Sequence, residues 1–119
     1  MKMIFHEFQG KNAVEIISED IVIKETQDAI DLLGECDYMG ARSIIISEKN
    51  LPPEFFDLKT GFAGEILQKF STYSFRLAII GDFSKYQSKS LQDFIRESNR
   101  GNRIFFLTDL ETALNRLKQ

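Results

Sequence analysis

Lys59 and Thr60 stand directly before Gly61 in FFDLKTGFAGEILQKF, the stretch from Phe55 to Phe70. Its apolar residues recur at helical spacing, which predicts one amphipathic helix ending near Tyr73. The start of a helix leaves N–H groups unpaired and carries the positive end of the dipole, so it suits an anion. A phosphate on Thr60, or one brought by a ligand and met by Lys59, would satisfy that preference. The glycines raise a second question, because each costs about 1 kcal/mol relative to alanine inside a helix. On a wheel advancing about 100° per residue from Phe62, Ala63, Ile66 and Phe70 share one arc, with Leu67 just beyond. Gly61, Gly64, Glu65 and Gln68 lie opposite. The glycines then face away from the core and leave bare backbone that a partner helix or a ligand can approach. The plainer reading is an irregular first turn at Gly61 and a merely tolerated Gly64.

A second patch comes from IIGDFSKY. Ligands of open α/β sheets collect beyond the carboxyl ends of parallel strands, and Asp82 and Ser84 fall just past such an end, on the rim expected for Thr60. Gly-Asp and Ser after a strand are also ordinary turn chemistry, and Ser88 reads as a helix cap. In ESNRG, Arg96, Glu97, Asn99 and Arg100 close a helix whose next strand starts at the opposite, amino edge. Asn99 and Gly101 read as its terminators, with Arg100 near the negative dipole end.

Catalytic patterns are thin. His6 is the only histidine and lies in a strand with no nucleophile near it in sequence, so neither Ser-His-Asp nor Cys-His chemistry is indicated. Cys36 falls on the apolar side of its helix and reads as a small hydrophobe. One Cys and one His cannot build a zinc site, whereas an oxygen-rich magnesium site using Asp57 and Asp82 stays open. TGFAGE lacks the Gly-Lys-Ser/Thr ending of a P-loop, and GDFS carries none of the other marks of a kinase. No cofactor is implied. The 11 phenylalanines read as core filling, with Phe62, Phe70, Phe75, Phe94, Phe105 and Phe106 at core-like positions.

The elements that must position these residues form one domain: 119 residues, 43% hydrophobic, are enough for a single core. The net charge of −3 is modest and the cations are interspersed with acids along the chain, so a nucleic-acid surface is not expected. No signal peptide or membrane span is read, and a single cysteine excludes an internal disulfide. Both point to the cytoplasm. MIFHEFQG and AVEIISED read as a hairpin turning at Gly10-Lys11-Asn12. Thr26 then caps a helix over TQDAIDLLGECDY, and SIIIS is a buried strand. After the 55–70 helix come the strand FRLAIIGDF, the helix SKSLQDFIRESNRG and the strand RIFFLT. A last helix follows a Thr108/Glu111 capping box. The order β-β-α-β-α-β-α-β-α predicts an α/β sandwich around a mixed five-stranded sheet, parallel except for the first strand.

That order resembles the STAS fold of anti-sigma-factor antagonists and sulfate-transporter tails. The STAS signature is Asp-Ser-Ser-Gly-hydrophobic-Gly, whose second serine is phosphorylated in the antagonists. Thr60-Gly61-Phe62 is similar to its Ser-Gly-hydrophobic core, while Asp57 stands one residue further off and the second glycine is displaced. The resemblance implies Thr60 as a phosphorylation site. At motif level, FFDLKTGFAGEILQKF, LAIIGDFSKYQSKSLQDFI and ESNRG resemble a bacterial family known as domain of unknown function 4180, which implies no activity.

Two readings follow. One is a cytoplasmic, STAS-like interaction or regulatory module without catalysis. Its surface is Lys59, Thr60, Gly61, Gly64 and Gln68 with Asp82 and Ser84, and its partner is another protein or a second copy. The other is a small-molecule-binding protein or weak enzyme with a polar pocket on the same carboxyl rim, built from Lys59, Thr60, Asp82 and Arg96.

Overall fold

A computed structural model describes residues 1–119. Its sheet opens with β1 (Lys2–His6) antiparallel to β2 (Ala13–Ile17), His6 opposite Ala13 and Lys2 opposite Ile17. The hairpin turns at Gln9 and Gly10, with φ of 43° and 92°, rather than over Gly10-Lys11-Asn12. Lys11 N–H donates to Phe8 O at 2.9 Å across that turn. Asn12 Oδ1 accepts from Phe8 N–H at 3.1 Å and closes the loop behind it.

β3 (Ser43–Ser47), β4 (Arg76–Ile80) and β5 (Ile104–Leu107) add in parallel, in the spatial order β1-β2-β3-β4-β5. Because each strand lies beside its predecessor, right-handed crossovers return every connecting helix over the same face. α1 (Thr26–Tyr38), α2 (Phe62–Thr72) and α3 (Lys89–Arg100) cover that face. Leu32, Leu33, Ile66, Phe70, Leu91 and Ile95 meet Val14, Ile44, Ile46, Leu77, Ile79 and Phe106 there. α4 (Leu110–Leu117) alone turns back over the other face, packing Ala113 and Leu117 on Ile45, Ala78 and Phe105. The expected mixed five-stranded sheet with four helices is observed. No helix is long and apolar enough to cross a membrane.

Two caps differ from expectation by one residue. Thr26 is the first residue of α1 and Glu25 its cap, because Asp28 Oδ2 reaches back to accept from Lys24 and Glu25 N–H at 2.9 and 3.1 Å. At α4 the cap is Asp109 rather than Thr108. Its carboxylate accepts from Thr112 N–H at 2.8 Å, and a charged acceptor outcompetes a hydroxyl at the positive end of a helix. Ser88 caps α3 as predicted, accepting from Leu91 N–H at 3.2 Å. Gly101 closes α3, but Asn99 does not. It stays helical, and its amide both donates to Phe106 O (3.1 Å) and accepts from Phe106 N–H (2.8 Å), covering the free edge of β5.

Candidate functional site

The predicted 55–70 helix is broken into two 3-10 turns and a shorter α-helix. Pro52 and Pro53 lead into a 3-10 turn, Pro53–Phe56, that buries Phe55 and Phe56. A second turn, Leu58–Thr60, ends at Gly61, whose φ of 77° is left-handed and ends the run. α2 therefore starts only at Phe62. Thr60 staples the junction: its hydroxyl lies 2.8 Å from Glu54 O and from Asp57 O, as donor, and accepts from Phe62 N–H at 3.2 Å. Gly61 is thus a turn residue and not part of a helix face. From Phe62 onward the wheel holds, with Ala63, Ile66 and Phe70 buried and Gly64, Glu65 and Gln68 exposed. A Cβ on Gly64 would meet nothing within 4 Å. Lys59 is exposed, and its N–H donates to Asp57 Oδ1 at 3.3 Å.

Asp82 and Ser84 form a closed turn. Asp82 Oδ1 accepts from the Ser84 hydroxyl at 2.6 Å and from its N–H at 3.2 Å. These bonds, helped by Lys85, hold the carboxyl below its ordinary value. Asp82 and Thr60 share the carboxyl rim of the sheet, but no hydrogen bond joins them. Arg96 spends its charge on Asp93 at 2.8 Å on α3.

The cleft of that rim, about 450 Å³, is lined instead by Glu48, Lys49, Phe56, Asp57, Lys85 and Tyr86 among others. Glu48 is its centre. The Tyr86 hydroxyl donates to Glu48 Oε2, and Lys85 Nζ lies 2.8 Å from the same oxygen. Burial first, then the bond to Glu48 and its charge, push the Tyr86 phenol up, so it stays a donor. The Tyr86 ring stacks on Phe56 at 5.1 Å, and Gln92 Nε2 donates to Phe83 O and Tyr86 O at 2.8 and 2.9 Å, fixing the loop. Gly81 makes room: a Cβ there would lie 2.6 Å from Glu48 Oε1 and 2.7 Å from Glu48 Cβ. Sequence reasoning missed Glu48 and Tyr86, although both directly follow carboxyl ends or their turn.

The opposite rim is different. Five of the chain's 15 Lys and Arg residues, Lys11, Arg42, Arg76, Arg103 and Arg116, line one polar cleft of about 530 Å³. The cations dispersed in sequence are gathered in space. In a parallel α/β sheet the helices run back to the amino rim, so their unpaired C-terminal carbonyls crowd there and recruit cations. Arg42 Nη1 donates to Tyr73 O at the end of α2, and Arg116 Nη2 donates to Asn99 O and Gly101 O at the end of α3. Arg76 holds the end of α4, donating to Arg116 O (3.2 Å), Leu117 O (3.1 Å) and Gln119 O (3.0 Å), and also reaches Asn102 O (2.8 Å). Arg103 Nη1 donates to Phe75 O at 3.0 Å. The Arg116 and Arg76 guanidinium carbons lie 4.2 and 5.3 Å from the Phe105 ring centroid.

Only one side-chain carboxylate answers these five charges, Asp37 at 3.2 Å from Arg42. Burial, then repulsion from Arg116 and Arg103, pull the Arg76 guanidinium below its ordinary value. Arg103 spends one of its five N–H donors and Arg116 bonds only through Nη2. Donors of Arg103 and Arg116 therefore remain unspent among the residues lining the cleft.

No curated protein and no solved structure matches the chain. A family model described as a domain of unknown function (DUF4180) does match, over residues 8–117, which hold β2 to β5 and all four helices but not β1, and the chain belongs to that family.

Proposed function

We propose that the protein is a cytoplasmic interaction or regulatory module, without catalysis, that works by receiving an anionic group in the cleft at the amino rim. One observation carries this reading: five cations converge on that cleft and a single side-chain carboxylate answers them. Like charges held together at a cost in mutual repulsion are relieved by an incoming anion. Neither nucleic acid nor a membrane belongs to this reading, because the cations line one bounded cleft rather than a long track. Calorimetric titration with succinate, inorganic phosphate and sulfate tests it. The expected result is saturable 1:1 binding that weakens as NaCl rises. Heats indistinguishable from dilution for all three anions would overturn it.

The outer face of α2 supports a second reading. Gly64 is exposed with open space around it, beside exposed Glu65 and Gln68, so a partner backbone or a second copy can approach closely there. On this reading Lys59 and Thr60, with Asp82 and Ser84 further along the rim, flank the contact, and a phosphate on Thr60 would first have to free its hydroxyl from Glu54 O and Asp57 O. Sedimentation of wild type and Gly64→Glu tests the second-copy form. A dimer lost in the variant supports it, and a monomer at high concentration removes it.

A further inference from the structure

We infer that the anion taken by the amino-rim cleft is a phosphate monoester dianion carried by a small, polar, sugar-like molecule; this rests on the reading of the cleft as an anion site. Charge is the first argument. Three helix ends touched by the arginines supply roughly half a negative charge each, and Asp37 neutralises one cation more. The five positive charges are therefore only partly offset. A phosphate monoester carries up to two negative charges at neutral pH, its second proton leaving near pH ~6. The free guanidinium donors of Arg103 and Arg116 match phosphate oxygens in fork geometry.

The lining decides what else the molecule carries. Phe105 is the one apolar residue of the cleft, and its ring already carries the Arg116 and Arg76 guanidinium groups. A nucleobase therefore finds no open aromatic face to stack on. Ser43, Ser74 and Asn102 offer hydroxyl and amide groups suited to a polyol, and about 530 Å³ accommodates a molecule of sugar-phosphate size.

The test is calorimetric titration of the full chain with glucose 6-phosphate, inorganic phosphate, succinate and AMP at pH 7.5 and pH 5. Glucose 6-phosphate is expected to bind tightest, and severalfold more weakly at pH 5, where it is mostly a monoanion. Arg103→Gln should weaken it about tenfold or more through the loss of a charge-assisted contact. Lys11→Gln, at an exposed residue without a folding partner, should weaken it by a smaller factor and unfold at the wild-type temperature. That second variant keeps the test valid should Arg103→Gln lower stability. Succinate binding as tightly as glucose 6-phosphate would overturn the phosphate assignment while leaving the anion cleft standing. AMP or free phosphate binding tightest would overturn the sugar-like part. No saturable binding of any of the four would overturn both inferences together.

Discussion

The two rims of one sheet handle charge in opposite ways. At the carboxyl rim the central polar groups pair with one another: Glu48 holds Tyr86 and Lys85, Asp82 holds Ser84, and Thr60 holds the carbonyls before it. At the amino rim the arginines are anchored by carbonyls, which neutralise only partly, and their charges accumulate. The difference follows from chain direction. Helix N-termini at the carboxyl rim are satisfied by short side chains of the adjoining turns, whereas C-terminal carbonyls draw in long cations from distant parts of the chain. A rim can therefore look inert by position rules and still be the one with unspent binding capacity.

Arg76→Ala tests the comparison most severely. It removes four bonds to carbonyls and unpins α4, the single helix over the second face, so a loss of about 3 kcal/mol is expected in urea unfolding. A loss near zero would mean that the amino-rim arginines are free surface charges and would break the comparison. Gly81→Ala strikes the other rim. Its Cβ must displace Glu48, with an expected cost of about 2 kcal/mol. Gly61→Ala forces a side chain into the left-handed region and should cost about 1 kcal/mol by the same measurement. This result separates Gly61, a backbone necessity, from Gly64, where alanine meets open space and should stabilise α2 slightly.

The smallest effects are in pH. Asp82 has a folded pKa depressed below its ordinary 3.8, so its contribution is present above that value and is lost as pH falls through the folded pKa. Carbon-detected NMR should find Asp82 titrating below an unperturbed aspartate, and Asp82→Asn should flatten the acid limb of stability. Tyr86 moves the other way. Its raised phenol favours the folded state below the ordinary value of 10.0, an advantage lost as pH rises through the folded pKa. Tyr86→Phe should remove that alkaline limb. Arginine variants at the amino rim should leave both limbs unchanged, because guanidinium groups do not titrate across either range.

Much of the architecture was legible because it is written in local pattern. SIIIS and IFF are apolar on both faces, as buried strands must be, and the 3.6-residue stripe of α2 from Phe62 onward assigned inside and outside correctly. The start of α2 was misread because Phe55 and Phe56 extend the apolar spacing backward although Gly61 adopts a conformation no helix contains. Pro52, Pro53 and Gly61 were the signals that could have divided that stretch.

The sequence by itself determined the elements, their order, the parallel crossovers and the two-sided burial of the middle strands, since these follow from periodicity, turn residues and chain connectivity within a few residues of one another. Only the tertiary structure decided the strand order, the lone position of α4 and the meeting of Lys11, Arg42, Arg76, Arg103 and Arg116. Those cations lie far apart in the chain, three of them at or just before the starts of β3, β4 and β5. Parallel register brings strand starts side by side, and no local pattern records that a cation waits at each.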